Sequence, residues 1–569
     1  MSRETEALRD WWIATEQGLP GPDPGEIEEA LRLAHDDELR GRIEECSARL
    51  ARLDVQRLPA IWRNVHELLE CRLVVRRARV EEIARISMRL ERLLETLPAG
   101  EAPTRARVLH TAGVACIRLD RLQAAEERLT QAAQRIGDAP ALAWIAESFA
   151  QVLMGQGAWE EVRLILSRVL ELKRRAGDSL GVAISTGSLA RLHAVLREDA
   201  QALEVLGGLW RDESLEPITR LRLATLALEA QTRCGTALDE IVATARHVQH
   251  LSSLAPGHPL AGYADLALAQ ALHQRGEPFV AALGLSGGPR DASAQRLAAA
   301  GARLNAPDQR AWLAYHEVLL LTAEVPGDAW LAGMRELFDR SPRTTESEVR
   351  THLLIAERAH TAGMRTRARE HLEVAETRAT ASNNPHWVAL VEDLGRRIDP
   401  EGHAERVAHR LSGRSLGEMT RTERREATII FSDLVDFTPR SHQLHAEEVM
   451  STVRSVFQLT SQSMGTHRIR PLSYLGDGLL AIAEGAEHAQ RGVRFALEIV
   501  ARAGRVTRVH RALGIPWGLE LRAGVASGPV VVGAIGTQFK QEFAAIGLTT
   551  NLAARLQGQA MPGQVMIAE

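Results

Sequence analysis

The chain has 569 residues, with 69 lysines and arginines against 73 aspartates and glutamates, so its formal net charge is −4 at pH 7. A chain of this length exceeds what a single hydrophobic core supports, and we expect two or more domains. The nearly balanced charge gives no general attraction to nucleic acid or to an anionic membrane, and we expect neither as a partner.

The sequence lacks the apolar segments that direct proteins to membranes. MSRETEALRDWW is charged from its start, unlike a signal peptide. No run of about 18 apolar residues occurs, as a transmembrane helix would require. The four cysteines, Cys46, Cys71, Cys116 and Cys234, form no CxxC pair, and we expect them to be reduced core residues. These features predict a soluble, cytoplasmic protein.

Residues 1–398 predict a succession of amphipathic helices, because segments such as AEERLTQAAQRI place apolar residues three and four apart. Turn-plus-helix phrases begin near Leu122, Trp159 and Ala200, 37 and 41 residues apart, and recur near Pro278 and Met364. This is the period of helix-pair repeats, and the phrases resemble tetratricopeptide repeats. We expect an all-α solenoid that senses or docks a protein or peptide ligand; an irregular helical array is the alternative.

Residues 399–426 are polar and charged, which predicts a linker with a short helix. From 427 to 569 strands alternate with helices, which indicates an α/β domain. Its first strand is apolar from Ala427 to Phe431 and places Asp433 where the strand gives way to a turn. Downstream, PLSYLGDGLLAIAEG predicts a tight β-hairpin around Gly476, Asp477 and Gly478.

If this hairpin lies beside the first strand, Asp433 and Asp477 face one another. Two adjacent carboxylates repel unless a cation lies between them, and such oxygen ligands suit Mg²⁺ or Mn²⁺ bound together with phosphates. The alternative is that Asp433 caps a helix and Asp477 serves a turn, which are common uses of aspartate.

The remaining elements carry a second polar pair. LRAGVASGPVVVGAIG predicts a strand, a glycine turn and a strand, and the residues from Glu542 predict a strand, a loop, a helix and a strand. On that helix Asn551 and Arg555 are four residues apart and share one face. An amide and a guanidinium on one face can hold a ribose oxygen and a phosphate.

Five segments in this order, FSDLVDFT, YLGDGLLA, EHAQRGVRFALEI, LRAGVASGPVVVGAIG and TTNLAARL, resemble the catalytic domain of class III adenylate and guanylate cyclases. The resemblance covers about residues 425–569 and implies a ferredoxin-like α/β domain that acts as a homodimer. It implies two Mg²⁺ or Mn²⁺ ions per active site, bound by Asp433 and Asp477. The implied reaction is attack of the ribose 3′-hydroxyl on the α-phosphate, giving a 3′,5′-cyclic nucleotide and pyrophosphate. We expect ATP rather than GTP as the substrate and intracellular signalling as the role of the product.

The resemblance also assigns roles to other positions. Asn551 from the other subunit would orient the ribose, Arg555 would stabilise the transition state, and Arg522 matches a phosphate-contacting position. The backbone that would cradle the triphosphate comprises Leu434, Val435, Asp436, Phe437 and Thr438.

Three features depart from the family pattern. Ser473 stands where the family usually has a purine-reading Lys or Glu, and Ala544 replaces its Asp or Thr partner, so the usual rule does not give the base preference. Asp436 replaces a common glycine and adds a negative charge beside the phosphates. The family continues beyond a strand like GQVMIAE to a hairpin that supplies a Lys, whereas this sequence ends at Glu569; it is either a fragment or a site without that Lys. The alternative hypothesis is therefore a degenerate cyclase-like domain that dimerises or binds nucleotide as a signalling scaffold.

Overall fold

The computed structural model describes most of the chain. The described residues are 11–12, 26–39, 42–77, 80–98, 101–119, 121–136, 139–304, 310, 313, 315–317, 345–382, 384–403, 405–406, 422–441, 445–537 and 540–568. Contacts divide the chain into two compact units. The first unit comprises residues 1–152 and 163–375, and the second comprises residues 153–162 and 376–569. The domain boundaries expected at 398 and 426 stay a prediction.

The described part of residues 1–398 is largely helical, which confirms the helices expected from the apolar periodicity. They are α1 Glu26–Leu39, α2 Ile43–Ala51, α3 Ala60–Arg77, α4 Val80–Thr96, α5 Ala102–Arg118, α6 Leu122–Arg135, α7 Ala139–Gly155, α8 Trp159–Arg175, α9 Ser179–Val195, α10 Asp199–Leu206, α11 Pro217–Cys234, α12 Leu238–Leu254, α13 Pro259–Ala282, α14 Pro289–Arg303, α15 Thr345–Thr361, α16 Arg365–Ser382 and α17 Pro385–Ile398. Among the described residues no helix has both the length and the apolar character needed to cross a bilayer.

Helices that follow one another in the sequence pack against one another, as α5 does on α6, α11 on α12 and α13 on α14. Glycine permits one of these close contacts, since a Cβ at Gly113 of α5 would lie 2.7 Å from the Leu129 side chain of α6. Pairwise packing of neighbours is what a helical array requires. The more specific expectation of a tetratricopeptide-like solenoid stays a prediction.

The expectation about the cysteines can be checked in the first unit. Cys46 and Cys71 are buried, but Cys234 is exposed, so the expectation that all four cysteines are core residues is wrong. Cys234 ends α11 just before Gly235, where the helix meets solvent. Trp11 and Trp12 are both buried: their rings pack edge to face, and the Arg107 guanidinium lies 4.5 Å from the Trp12 ring centroid.

The second unit contains a mixed β-sheet with helices, which confirms the predicted α/β domain. Its strands are β1 Glu423–Leu434, β2 Arg470–Leu475, β3 Gly478–Glu484, β4 Leu521–Thr537, β5 Lys540–Ile546 and β6 Val565–Ile567. Its further helices are α18 Phe437–Ser441, α19 Ala446–His467, α20 His488–Ala512 and α21 Leu548–Gln559. The strand order is β2-β3-β1-β4-β5, all antiparallel, and β6 pairs with β4 in parallel.

The predicted glycine turn in LRAGVASGPVVVGAIG is wrong, because β4 runs without interruption from Leu521 to Thr537. Gly528 stays in the ladder opposite Ala427, with φ of +154°. Its missing side chain also leaves room for Thr549, whose Oγ1 would lie 2.9 Å from a Cβ at this position. The glycine therefore serves a close packing contact rather than a chain reversal.

Candidate active site

Two strand ends bring the predicted pair of carboxylates together. Asp433 is the penultimate residue of β1, and Asp477 lies in the two-residue turn that joins β2 to β3. Because β3 pairs with β1 up to Ser432, this turn lies beside Asp433. A Cβ at Gly478 would lie 3.2 Å from the Ser432 carbonyl oxygen and 3.4 Å from Asp433 Oδ1, so the turn lies close to the end of β1.

The two acids are coupled electrostatically. Partial burial, followed by the charge of Asp433 and a hydrogen bond shared with it, raises the pKa of Asp477 from 3.8 to about 6. Hydrogen bonds from the backbone N–H groups of Asp477 and Leu434 to the carboxylate act in the opposite direction but do not outweigh these effects. Two carboxylates that resist joint ionisation are ready to bind a divalent cation, which removes the repulsion.

The two carboxylates suit Mg²⁺ or Mn²⁺ ions whose coordination is completed by water and substrate. They do not form a metal site built from protein ligands alone. Among the described residues no group of three or more His, Cys, Asp or Glu side chains surrounds a common point. Mg²⁺ is commonly held by one or two carboxylates, with water and substrate phosphates completing its coordination. Asp433 and Asp477 supply that number of carboxylates.

Asp433 is also held by two side chains from neighbouring elements. Its Oδ2 accepts hydrogen bonds from Arg522 Nη2 at 3.3 Å and from Gln557 Nε2 at 3.4 Å. The buried Nε of Arg522 has no acceptor in the described part of the chain. Gln557 was missed by the sequence reasoning, although its place on the buried side of a helix after TTNLAARL was a usable signal.

The turn after β1 shows why glycine is common at position 436. Asp436 is exposed and takes φ of +58°, a left-handed conformation that glycine adopts without strain. The N–H of Val435 donates to the carbonyl of Glu520 at 2.9 Å, and that of Leu434 to the Asp477 carboxylate. The N–H groups of Leu434 and Val435 therefore already have acceptors. Within the predicted phosphate cradle, those of Asp436, Phe437 and Thr438, at the start of α18, remain as candidate phosphate donors.

Helix α21 presents two different faces. Its Ala553 is buried and its Gln557 reaches Asp433 of the same chain, whereas Asn551 and Arg555 are exposed. Gly524 in β4 lets the helix approach closely, because a Cβ there would lie 2.2 Å from the Ala553 carbonyl oxygen. Asn551 and Arg555 thus share an outward face, on the side of the helix away from their own chain's carboxylates.

The two positions expected to read the base lie on the edge strands of the sheet. Ser473 is half-buried in β2, next to an irregularity in the pairing with β3, and Ala544 is half-buried in β5. Strands β2 and β5 contact each other, which brings the two positions into one region. Neither side chain carries a charge.

A cavity of about 300 Å³ lies at the other end of the β2–β3 hairpin. It is lined by Arg468, Arg470 and Arg491, among others, and it does not include the carboxylate pair. Arg491 donates to backbone carbonyls and Arg470 pairs with Glu484, so much of the positive charge is already compensated within the protein. The candidate chemistry therefore lies at the Asp433 end.

Comparison with known proteins agrees with this geometry. Residues 419–569 match the family described as the adenylate and guanylate cyclase catalytic domain. Adenylate cyclase 1 of Rhizobium meliloti (strain 1021) is 32% identical over 139 residues, which cover 24% of this chain and 21% of that protein. Guanylate cyclase D of Mus musculus is 28% identical over 149 residues, which cover 25% of this chain and 13% of that protein.

Among solved structures, the guanylyl cyclase Cya2 is 29% identical, with a TM-score of 0.25, over 26% of this chain and 76% of that one. The chain spans about a fifth or less of the two curated relatives. The family match covers the part of the chain that carries the carboxylate pair and helix α21. Residues 419–569 of this chain are therefore similar to the adenylate and guanylate cyclase catalytic domain family.

Proposed function

We propose that the protein is a nucleotidyl cyclase that converts ATP, in preference to GTP, into a 3′,5′-cyclic nucleotide and pyrophosphate. The observation that carries this proposal is the adjacency of Asp433 and Asp477. Burial, followed by the charge of Asp433, raises the pKa of Asp477 to about 6. Such a pair favours divalent cations and phosphate chemistry. The family of residues 419–569 supports the same reaction class.

Asp433 and Asp477 would hold Mg²⁺ or Mn²⁺, two ions in each active site. When bound, such ions lower the pKa of the attacking hydroxyl and neutralise charge on the phosphates. Arg522 and Gln557 keep the Asp433 carboxylate in one orientation through their hydrogen bonds to Oδ2. The Arg522 guanidinium, which is partly exposed beside Asp433, would also be available to a phosphate oxygen.

The site is completed across a homodimer in this proposal. Asn551 and Arg555 lie on an exposed face, where they would meet the carboxylates of a second copy. Leu548 and Leu552 on the same helix are 87% and 43% exposed, and a partner would cover this apolar surface. Asn551 would orient the ribose, and Arg555 would meet the negative charge that grows on the phosphates.

The preference for ATP rests on position 473. Guanine presents an N–H and an amino group that are well matched by a carboxylate, whereas Ser473 offers a short hydroxyl that both donates and accepts. Ala544 adds no polar atom. We therefore expect weak base discrimination with ATP favoured, and the ratio of the two rates tests it.

The central experiment measures cyclic nucleotide formed by the purified chain with Mn²⁺ and either ATP or GTP. Asp433→Asn and Asp477→Asn should each lower the rate by at least about a hundredfold, because a lost metal ligand removes several kcal/mol of transition-state stabilisation. Glu487→Gln is the control, since Glu487 is an exposed carboxylate before α20 at the other end of β3. No product from the unmodified chain with either nucleotide would contradict the proposal, and tight nucleotide binding without turnover would support the scaffold hypothesis instead.

A mixing experiment tests the dimeric site separately. Asp433→Asn and Arg555→Ala chains should each be inactive alone. After subunit exchange in equal amounts, half of the dimers are mixed and each contains one intact site, so activity should return to about a quarter of the unmodified level. Mixed chains that stay inactive while still dimerising would contradict completion of the site by a second copy.

We also propose that the helical region regulates the cyclase. Helical arrays commonly bind proteins or peptides, and binding there would bias the population of active dimers. A protein or peptide found to bind the full chain should change the rate of cyclic nucleotide formation. Binding with no change in rate would contradict this role.

A further inference from the structure

A short segment from the helical region folds as part of the second unit. Residues 153–162, which contain the end of α7 and the start of α8, group with residues 376–569 in one compact unit. Gln156 Oε1 accepts a hydrogen bond from Arg502 Nη2 of α20 at 2.7 Å. The carboxylate of Glu160 accepts one from Ser451 Oγ of α19 at 3.1 Å. The segment thus contacts α19, which is followed by the β2–β3 hairpin, and α20, which is followed by β4.

The most buried of these contacts is an ion pair between Glu161 and His510 of α20. Glu161 Oε2 lies 2.6 Å from His510 Nε2, and the two side chains are 2% and 0% exposed. The other ring nitrogen, Nδ1, lies 3.0 Å from the carbonyl oxygen of Trp517. A carboxylate and a carbonyl are both acceptors, so both ring nitrogens must donate and His510 is a cation.

The pKa of His510 agrees with this assignment. Burial opposes the charged ring, but the Glu161 carboxylate and the two hydrogen bonds outweigh it and raise the pKa. The pair therefore fixes both the charge and the orientation of the ring. Because the ring is fixed, its bond to Trp517 also fixes the middle of the loop between α20 and β4.

That loop leads directly to the nucleotide site. The N–H of Leu519 donates to Thr507 Oγ1 of α20 at 2.8 Å, which holds the loop at a second point. The next carbonyl, that of Glu520, accepts from the Val435 N–H at 2.9 Å, immediately before the strained turn at Asp436. Two residues further, Arg522 bonds to Asp433. Consecutive hydrogen bonds thus join the ring of His510 to the turn of the site.

We infer that Glu161 and His510 are positioning residues for the proposed cyclase site, acting through the 517–520 loop on the Val435–Asp436 turn. Neither side chain is placed at the carboxylate pair, so the effect passes through backbone geometry. This inference rests on the proposed function for its kinetic consequence. Its structural part, the coupling of Glu161 to the Val435 N–H, stands independently.

The first test compares two neighbouring glutamates in the full-length chain. Glu161→Gln removes the charge that holds His510, whereas the matched control Glu160→Gln makes the same change at a residue whose partners, Ser451 and Gln458, lie on α19. Amide hydrogen exchange in peptides spanning 432–438 should be about tenfold faster in Glu161→Gln, since loss of a supporting bond favours local opening. Glu160→Gln should leave exchange in these peptides unchanged. Equal exchange in the two variants would overturn the inference.

The second test uses kinetics and a double variant. Glu161→Gln should raise the KM for nucleotide about tenfold with a smaller change in kcat, because the turn binds the phosphates before and during reaction. The double variant Glu161→Gln, His510→Gln should raise KM little more than the worse single variant does, since the effects of substitutions in one network do not add. A double variant in which the two KM effects add fully would overturn the inference. If Glu161→Gln does not fold, Glu161→Asp keeps the charge with a shorter reach and should show the same pattern at smaller amplitude; unchanged exchange and KM in that variant would also overturn it.

The two proposals fail in different ways. If the unmodified chain makes no cyclic nucleotide, the proposed function fails and hydrogen exchange alone decides the coupling. If the chain is active but Glu161→Gln behaves as Glu160→Gln does, the coupling fails and the cyclase stands.

Discussion

Replacing Asp477 with Asn should stabilise the protein in the absence of metal. The pKa of Asp477 is about 6 in the folded protein and 3.8 ordinarily, so the folded state binds this proton more tightly than the unfolded state. Stability therefore falls as the pH rises between these two values. At pH 8 the folded chain carries the full cost of an ionised Asp477 beside Asp433, and a neutral amide removes that cost.

The magnitude follows from the same two numbers. The difference between about 6 and 3.8 corresponds to about 3 kcal/mol at roughly 1.4 kcal/mol per pKa unit. Because the side chain remains partly solvated, screening reduces this, and we expect a gain of roughly 1 to 2 kcal/mol. At pH 4 the parent carboxyl is largely protonated in the folded state, and the gain should nearly vanish.

The free energy of unfolding is measured by urea titration in the presence of a chelator, at pH 8 and at pH 4, with circular dichroism as the signal. Asp436→Asn is the matched control, because Asp436 is an exposed carboxylate three residues from Asp433 in a conformation that Asn also tolerates. With Mn²⁺ at about a hundred times its dissociation constant the parent should gain about 2.7 kcal/mol, and the order of the two proteins should reverse. A metal-free Asp477→Asn protein no more stable than its parent at pH 8 would refute the reasoning.

Three further predictions concern the second unit. Asp436→Gly should lower the KM for nucleotide by roughly 3- to 10-fold, measured from initial rates, because it removes a negative charge and suits the left-handed backbone at φ of +58°. The pKa of His510 is raised above 6.5, so its stabilising contribution is present below that pH and is lost as the pH rises through the raised value. The urea midpoint of the parent should therefore be lower at pH 9 than at pH 6, and this difference should be smaller in His510→Gln. Gly524→Ala should destabilise the fold by roughly 3 kcal/mol in thermal melts, since its Cβ would lie 2.2 Å from the Ala553 carbonyl oxygen, whereas Gly465→Ala in α19 meets nothing within 4 Å and should not.

The sequence predicted the parts of the site that depend on local pattern. An apolar strand followed by Asp433 and a tight turn around Asp477 could be read directly, because strand period and turn chemistry are short-range properties. The long strand through Gly528 was misread, since a glycine signals a turn and a close packing contact equally well. Gln557 was missed because its partner, Asp433, lies 124 residues earlier, at the end of β1.

The contact of Glu161 with His510 lay beyond sequence reasoning for a different reason. The two residues are 349 positions apart, and no motif links them. Periodicity places Glu161 on a helix but does not say which of its faces meets another element. Such pairings are decided by the packing of whole helices, which a single sequence does not display.

The two faces of α21 have a kinetic consequence for the proposed dimer. One face ties Gln557 to the metal-binding carboxylate of its own chain, and the other would deliver Asn551 and Arg555 to the second copy. Because α21 would contact both active sites, a tilt of the helix on nucleotide binding at one site should alter the geometry of the other. Saturation curves of the homodimer are therefore expected to depart from simple hyperbolae, with a Hill coefficient different from one.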